Sequence, residues 1–417
     1  MAALIVVPGD KSVSHRALIF AALAAGVSRI DGILDSADVR STAGVLRALG
    51  VDVPPIGPTM HVTGVGLGGL RRSAQPLDCG NSGTTTRLMA GVLAGHPFTS
   101  EFVGDASLSR RPMRRVARPL EAMGAHVSLA ADGTLPMRVD GGPLHTIRWQ
   151  SETASAQVKS AILLAGLVAG VEVTVAEPTP SRDHTERFLR ALGAELRSDG
   201  GITLVPPSSL RPFTLDVPGD PSSAAFFAAL AAIGDGRAVE LPNVLASATR
   251  DGFFRVLARM GAHVEGDAPT ATDAGELVTT YRVSPGPLSA VIVSADDVPG
   301  MVDEIPLLAC VAACADGETR VTGAAELRVK ESDRIATTVA NLRAVGADAE
   351  ELPDGLIVRG TPDRALQGRI VTHGDHRIAM AFAVLGARRG NAIEVDDPEC
   401  VAVSYPGFWA DLRRATT

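Results

Sequence analysis

Lys11-Ser12-Val13-Ser14-His15-Arg16 stands just ahead of an alanine-rich apolar run. If a helix begins there, Lys11, Ser12 and Arg16 supply two cations and a hydroxyl beside unpaired backbone N–H groups, the arrangement by which a helix N-terminus binds phosphate or carboxylate. A serine cap with solvated basic residues accounts for the same residues equally well, and His15 alone reads as structural. Asp78-Cys79-Gly80-Asn81-Ser82-Gly83-Thr84-Thr85-Thr86-Arg87 repeats the logic ahead of a second run. Its small residues, Gly83 among them, let backbone approach a ligand closely. Asn81, Thr84 and Arg87 offer hydrogen bonds, and a polar capping turn is the alternative.

Further polar sets precede later runs. Arg110-Arg111-Pro112-Met113-Arg114-Arg115 packs four arginines into six residues, either as a solvated basic face or as a small-anion site. Ser155-Ala156-Gln157-Val158-Lys159 and Ser181-Arg182-Asp183-His184 suit phosphate and hydroxyls, or ordinary capping. In Lys330-Glu331-Ser332-Asp333-Arg334, a helix would put Lys330 and Arg334 on one face, where like charges repel unless an anion or the intervening carboxylates answer them. Asp303-Glu304 and Gly374-Asp375-His376-Arg377 open the fifth and sixth runs. A carboxylate at such a place either complements a helix dipole or serves as a general base. No Ser or Cys has a recognisable base partner, so nucleophilic catalysis is weakly supported. Cations ahead of the helices of both halves predict a site completed by closure of two domains on small, multiply anionic substrates.

What positions these groups is a repeat. Alanine-rich runs recur at Ala17–Gly26, Leu88–Gly95, Ile162–Gly170, Ala224–Gly234, Leu307–Gly317 and Ile378–Gly390. A second phrase, helix end, glycine, strand, recurs at Gly50, Gly124, Gly193, Gly261 and Gly346, spaced by 74, 69, 68 and 85 residues. Val7-Pro8-Gly9-Asp10 returns 210 residues later as Val217-Pro218-Gly219-Asp220, but Pro221 stands where the first copy has Lys11. A period near 70 is longer than common solenoid units of about 20–50 residues, so six units read as a duplicated two-domain α/β protein. The seam falls near Leu215–Asp220, with a short strand able to act as a hinge. Gly64-Val65-Gly66-Leu67-Gly68-Gly69 matches G-x-G-x-x-G, yet no apolar helical period follows, and it reads as a turn rather than a dinucleotide fingerprint.

Composition limits the partners. The chain has 417 residues, 46% hydrophobic and 21% charged, with 39 Lys+Arg against 47 Asp+Glu. A net charge of −8 argues against a general nucleic-acid or membrane-surface binder. Cys79, Cys310, Cys314 and Cys400 form no metal-binding spacing, and no signal-peptide pattern opens the sequence. The expectation is a soluble cytoplasmic protein.

Taken in order, Gly9-Asp10-Lys11-Ser12 with Ser14-His15-Arg16, Asn81-Ser82-Gly83-Thr84 with Arg87, Arg111-Pro112-Met113, Ser155-Ala156-Gln157, Arg328 to Arg334, and Asp375-His376-Arg377 resemble the 5-enolpyruvylshikimate-3-phosphate (EPSP) synthase family over essentially the whole chain. The resemblance implies two domains, 11–216 and 1–10 plus 217–417. Each would hold three βαβαββ-type repeats about a pseudo-threefold axis, an inside-out α/β barrel with its active site in the interdomain cleft. It implies transfer of the enolpyruvyl group of phosphoenolpyruvate to the 5-hydroxyl of shikimate 3-phosphate, on the route to chorismate and aromatic amino acids. Lys11, Gly83, Arg111, Arg334 and Arg377 match the phosphoenolpyruvate set. Ser12, Arg16, Ser155, Gln157, Arg182, Asp303 and Lys330 match the shikimate 3-phosphate set. Asp303 is implied as base for the hydroxyl, Glu331 as proton carrier at C3, and Lys11 as a charge-stabilising or proton-shuttling group, in a monomeric enzyme that uses neither metal nor cofactor.

Two positions depart from the pattern: Ala156 replaces a second serine, and Val403 stands where many members carry lysine. The Arg111–Arg115, Ser155–Lys159 and Arg182 segments resemble the glyphosate-tolerant branch, whereas Gly83 is the small residue of sensitive members. The sister family, UDP-N-acetylglucosamine enolpyruvyl transferase, normally has Lys-Asn where this chain has Lys11-Ser12, and carries a loop cysteine that Arg110–Arg115 lacks. RNA 3′-phosphate cyclase shares a related fold without a counterpart here to its nucleotide-linked histidine. An inactive binding protein on the scaffold would be expected to lose Asp303, Glu331 or Lys11, and all three are present.

Overall fold

A computed structural model describes residues 2–234 and 236–416. All six alanine-rich runs form helices: Lys11–Leu23, Gly83–Ala94, Ala156–Ala169, Pro221–Ile233, Ile305–Ala312 and His376–Ala387. They are apolar almost all round and buried along nearly their whole length, as expected of helices at the centre of a core. Alanine and glycine allow the close approach. A Cβ on Gly91 would lie 2.2 Å from the Ala161 carbonyl oxygen, so the helices Gly83–Ala94 and Ala156–Ala169 pack at backbone distance only because Gly91 has no side chain.

Around the helices the strands obey one pairing rule. Leu77–Asp78 runs parallel to Thr99–Val103, which pairs antiparallel with Met137–Asp140, which pairs antiparallel with His126–Leu129. The same order joins Ile147–Gln150, Val173–Ala176, Ile202–Val205 and Glu195–Ser198. It recurs in Ala3–Leu4, Val239–Leu245, Leu277–Ser284 and His263–Gly266, and in Ile292–Val293, Gly317–Val321, Gly355–Gly360 and Asp348–Leu352. In the first repeat, Thr214–Asp216, Val27–Asp31 and Thr59–Thr63 keep the order. The strand expected at Val51–Val53 shrinks there to a single bridge between Asp52 and Thr63. Gln367–Ile370 and Ala392–Val395 retain only the parallel pair. With a helix between the first two strands and another before the last two, the unit is βαβαββ.

The repeated glycine after the second helix has a backbone cause. Gly50, Gly124, Gly193, Gly261 and Gly346 have φ of 89°, 108°, 100°, 108° and 93°, a left-handed conformation that ends the helix and that side-chain-bearing residues rarely adopt. Gly64–Gly69 is a turn with no helix after it.

The chain divides into two compact units: Gly9–Val217 with Ala271–Glu276, and Met1–Pro8 with Pro218–Thr270 and Leu277–Thr417. Gly9 and Asp10 thus group with the first unit, whereas the family resemblance implies residues 1–10 with the C-terminal half. The reason is local: Asp10 caps the helix Lys11–Leu23, accepting from the Val13 N–H at 2.8 Å. The excursion Ala271–Glu276 was not expected at all. None of the described helices is long and apolar enough to cross a membrane.

Candidate active site

In the unit Gly9–Val217, the polar segments occupy helix N-termini. Asp10, rather than Ser12, caps the first helix, which leaves Lys11 and Ser12 half-buried in its first turn. Lys11 Nζ lies 3.2 Å from Asp38 Oδ2 in the first turn of the helix Ala37–Ala48. Behind Lys11 runs a buried hydrogen-bonded chain. His15 Nδ1 meets Thr42 Oγ1 at 2.7 Å, Thr42 Oγ1 meets Thr85 Oγ1 at 2.7 Å, and Thr85 Oγ1 donates to the cap residue Ser82 at 2.8 Å. Burial pushes the His15 pKa down to about 3, with Lys11 and Arg16 adding to the fall against the opposing pull of Asp38. His15 is neutral and structural.

Arg16 is buried. Its Nε donates to Thr185 Oγ1 at 2.8 Å, Nη2 to Ser160 Oγ at 2.8 Å and Nη1 to the Ser12 carbonyl at 3.0 Å. Burial lowers its pKa to about 10, partly offset by Glu186, Glu276 and Asp10, so it stays charged near neutral pH. With three of five N–H groups engaged, Arg16 keeps donors for a ligand.

Gly83 opens its helix behind the Ser82 cap. A Cβ there would lie 2.6 Å from Arg87 Nη1 and 3.7 Å from Arg111 Nη1, so the two guanidinium groups converge on the glycine. Arg87 donates to Gln157 Oε1 at 2.7 Å, and Gln157 Nε2 to Thr84 Oγ1 at 3.0 Å. Arg111 donates to Asn81 Oδ1 at 2.8 Å. Its neighbours Arg110, Arg114 and Arg115 are exposed, so the basic cluster resolves into one inward arginine and a solvated face. Ser155 caps the helix Ala156–Ala169, and Arg182 is half-buried just before the helix His184–Ala191.

The other unit gathers carboxylates around cations. Arg334, 2% exposed, donates from Nε to Asp375 Oδ2 at 2.8 Å, from Nη2 to Glu331 Oε2 at 2.7 Å and from Nη1 to Asp303 Oδ1 at 3.2 Å. Burial opposes its charge, but Asp375, Glu331 and Asp303 outweigh burial and hold the proton more tightly than usual. Burial likewise raises the Asp375 pKa while Arg334, together with His376, more than reverses the shift, leaving it below the ordinary value. Lys330 Nζ lies 3.6 Å from Asp303 Oδ1 and 3.0 Å from Glu326 Oε1. Lys330 and Arg334 do not share a helical face. Lys330 is extended after the 3₁₀ turn Ala325–Val329, and the next helix begins at Arg334, with Asp333 as its cap. Asp303 is the link between the two cations.

Asp303 and Glu304 lie in a 3₁₀ turn, Val302–Glu304, ahead of the helix Ile305–Ala312. Glu304 makes no capping bond; it is buried and pairs with Arg377 Nη1 at 3.2 Å. Arg377 Nε is buried without a hydrogen-bond partner among the described residues. Of the five residues matched to phosphoenolpyruvate, Lys11, Gly83 and Arg111 fall in one unit, and Arg334 and Arg377 in the other.

The model of the EPSP synthase (3-phosphoshikimate 1-carboxyvinyltransferase) family matches residues 1–412. The chain belongs to the EPSP synthase family. The 3-phosphoshikimate 1-carboxyvinyltransferase of Sulfurihydrogenibium sp. (strain YO3AOP1) is 49% identical, covering 98% of this chain and 96% of its own. That of Xanthomonas campestris pv. campestris (strain 8004) is 50% identical over 96% and 92%. The EPSP synthase of Acinetobacter baumannii superposes with a TM-score of 0.88 at 42% identity over 99% of this chain and 95% of its own. The enolpyruvyl transferase NikO from Streptomyces tendae shares the fold at a TM-score of 0.78 and 18% identity, covering 100% and 94%.

Within an EPSP synthase frame, sequence reading overlooked the residues that hold the matched groups in place. Asp38 was discoverable, since Ser36-Ala37-Asp38 is a capped, acidic helix start. Glu186, in the first turn of the helix His184–Ala191, carries the same signal, whereas nothing local marks Glu276, whose partner His184 lies 92 residues away. Val403, the departure from the family's lysine, is half-buried at the end of the 3₁₀ turn Pro398–Val403.

Proposed function

We infer that this chain transfers the carboxyvinyl group of phosphoenolpyruvate to shikimate 3-phosphate, giving EPSP and phosphate in the shikimate pathway. The 5-hydroxyl oxygen attacks C2 while C3 takes a proton. The resulting tetrahedral intermediate then loses phosphate and a C3 proton to restore the double bond. Lys11, Gly83, Arg111, Arg334 and Arg377 are assigned to phosphoenolpyruvate, and Ser12, Arg16, Ser155, Gln157, Arg182, Asp303 and Lys330 to shikimate 3-phosphate.

Asp303 takes the hydroxyl proton, Glu331 carries the proton at C3, and Lys11 stabilises charge. The observation supporting this division is that Asp303 and Glu331 both bond to the Arg334 guanidinium, at 3.2 and 2.7 Å. One rigid, buried cation thereby fixes the spacing of the two proton-transfer groups. Fixed cations also offset the repulsion between two anionic substrates, so positioning and electrostatics carry the rate. The assignment includes action as a monomer in the cytoplasm, a reducing compartment that suits four free cysteines.

Phosphate release tests the reading. Release from phosphoenolpyruvate is expected only when shikimate 3-phosphate is present, and it should survive a metal chelator. Turnover with UDP-N-acetylglucosamine instead, or with neither acceptor, rejects it.

A further inference from the structure

Outside the assigned residues, the unit Gly9–Val217 contains a buried run of alternating charge. Lys159 Nζ lies 2.9 Å from Glu177 Oε2 and 2.8 Å from Glu186 Oε1, with the three side chains 4%, 7% and 2% exposed. Burial works against the Lys159 charge, but Glu186 and Glu177 override it and raise its pKa. Glu186 in turn is the strongest of the carboxylates acting on buried Arg16. The paired order is therefore Glu177, Lys159, Glu186, and Glu186 acts on the positive Arg16 without bonding to it.

Each end of the run reaches a group assigned to shikimate 3-phosphate. Glu177 Oε1 accepts the backbone N–H of Ser155 at 2.8 Å, at the start of the helix that also carries Gln157. The same carboxylate accepts the Ser181 hydroxyl at 2.8 and 2.7 Å, and Lys159 Nζ donates to the Ser181 carbonyl at 3.3 Å, which anchors the residue before Arg182. At the far end, Ser160 follows Lys159 and Thr185 precedes Glu186. Those two hydroxyls accept from Arg16 and meet each other at 2.7 Å. Neighbouring residues on two helices thus supply both the ion pair and the cradle of Arg16.

Stability alone is a weak reason for such a cluster. Desolvating charges costs about as much as their attraction returns, and well-packed apolar residues often serve a fold better. What an ion run does supply is register, because its geometry tolerates little sliding. We propose that Glu177, Lys159 and Glu186 form a positioning network that fixes Ser155, Arg182 and Arg16 relative to one another for binding shikimate 3-phosphate. The proposal rests on the assignment of those three residues to that substrate. None of the network residues is asked to touch a reacting atom.

Binding of shikimate 3-phosphate measured calorimetrically, beside the KM of each substrate, tests this in the full chain. Glu177→Ala is expected to weaken shikimate 3-phosphate binding about tenfold while the phosphoenolpyruvate KM moves less than about twofold, the scale of losing a buried acceptor. Glu177→Gln, which keeps an acceptor for the Ser155 N–H, should recover part of the loss, and it decides the matter if the alanine variant does not fold. Ser155→Ala and Arg182→Ala serve as controls for the substrate assignment. If both controls weaken binding while the Glu177 variants bind normally, the network has no positioning role. An equal rise in both KM values accompanied by a lowered melting temperature overturns it too, as a purely structural effect. If neither control weakens binding, the substrate assignment fails and the network inference with it.

Discussion

The guanidinium groups at the candidate site are held by different chemistry in the two units. In the unit Gly9–Val217, Arg16 is bonded to hydroxyls and a carbonyl, Arg87 to the Gln157 amide and the Pro112 carbonyl, and Arg111 to the Asn81 amide. In the other unit, Arg334 bonds to three carboxylates and Arg377 to a fourth. Neutral dipoles orient a guanidinium without placing a carboxylate on its nitrogens, although Glu186, Glu276 and Asp10 act on Arg16 without bonding to it. Carboxylates cancel the guanidinium's field locally but gain a rigid anchor, which suits groups that must exchange protons at fixed distances. Lys11, matched to substrate but paired to Asp38, departs from Arg16, Arg87 and Arg111, and the resemblance gives it, too, a charge or proton role. The second unit thus holds both groups proposed to move protons, Asp303 and Glu331, while both units supply cations matched to the anionic substrates.

The largest expected effect breaks the carboxylate side. Arg334→Met would leave Asp375, buried and paired at 2.8 Å, without its cation. Removing one partner of a buried pair typically costs about 3–5 kcal/mol. Denaturant unfolding should show a loss of that order. A loss near that of an exposed pair, below about 1 kcal/mol, would mean the clamp contributes orientation only.

Asp303→Ala tests the proton-handling half directly. Turnover is expected to fall at least about a hundredfold, the lower end for a positioned acid or base, with a much smaller change in shikimate 3-phosphate affinity. An equal loss in binding and turnover would make Asp303 a ligand for substrate and move the proton role elsewhere.

How much of this contrast could be read from sequence follows from the range of each interaction. Helix starts were legible because capping, small residues and a following apolar run are neighbours in the chain, and Ser82, Ser155 and Asp375 do cap helices. The repeat was legible through its glycines, since each sits where the chain must turn left-handed, while its βαβαββ order came from the family resemblance. Charge partners were not. Arg334 lies 31 residues from Asp303 and 41 from Asp375, and the like-charge expectation for Lys330 and Arg334 failed because their segment breaks between a 3₁₀ turn and a helix. Glu276 is the extreme case. It crosses from the other half of the sequence to meet His184 Nδ1 at 2.9 Å, and both side chains are buried.

Acid should separate the two units, because their buried groups resist protonation over different ranges. His15 keeps a pKa of about 3 in the fold against 6.5 when unfolded. Between those values the unfolded chain binds the proton and the folded chain does not, so stability falls as pH drops below 6.5. The His15→Asn variant should be spared about 2 kcal/mol of the loss that the parent suffers between pH 8 and pH 5. Asp375 is depressed below 3.8, so its contribution is complete above that value and disappears only as pH falls through its lower folded pKa. An unchanged acid profile in His15→Asn would show that His15 is not held neutral.

The smallest effect probes the neutral side. A methyl group at Gly83 would meet the tip of Arg87 at 2.6 Å, closer than any contact it could keep. Because that tip is the end of a flexible side chain, Arg87 can swing aside rather than disturb the helix. The loss is then its hydrogen bond to Gln157, and a net bond of about 1 kcal/mol corresponds to about a fivefold rise in KM. Gln157 is assigned to shikimate 3-phosphate and Gly83 to phosphoenolpyruvate, so the substrate whose KM rises tells which cost dominates. A rise confined to shikimate 3-phosphate would place the cost in the displaced Arg87–Gln157 contact, whereas a rise confined to phosphoenolpyruvate would place it in crowding at the glycine itself. No change in either would mean that Arg87 moves without cost and that its bond to Gln157 has no part in binding.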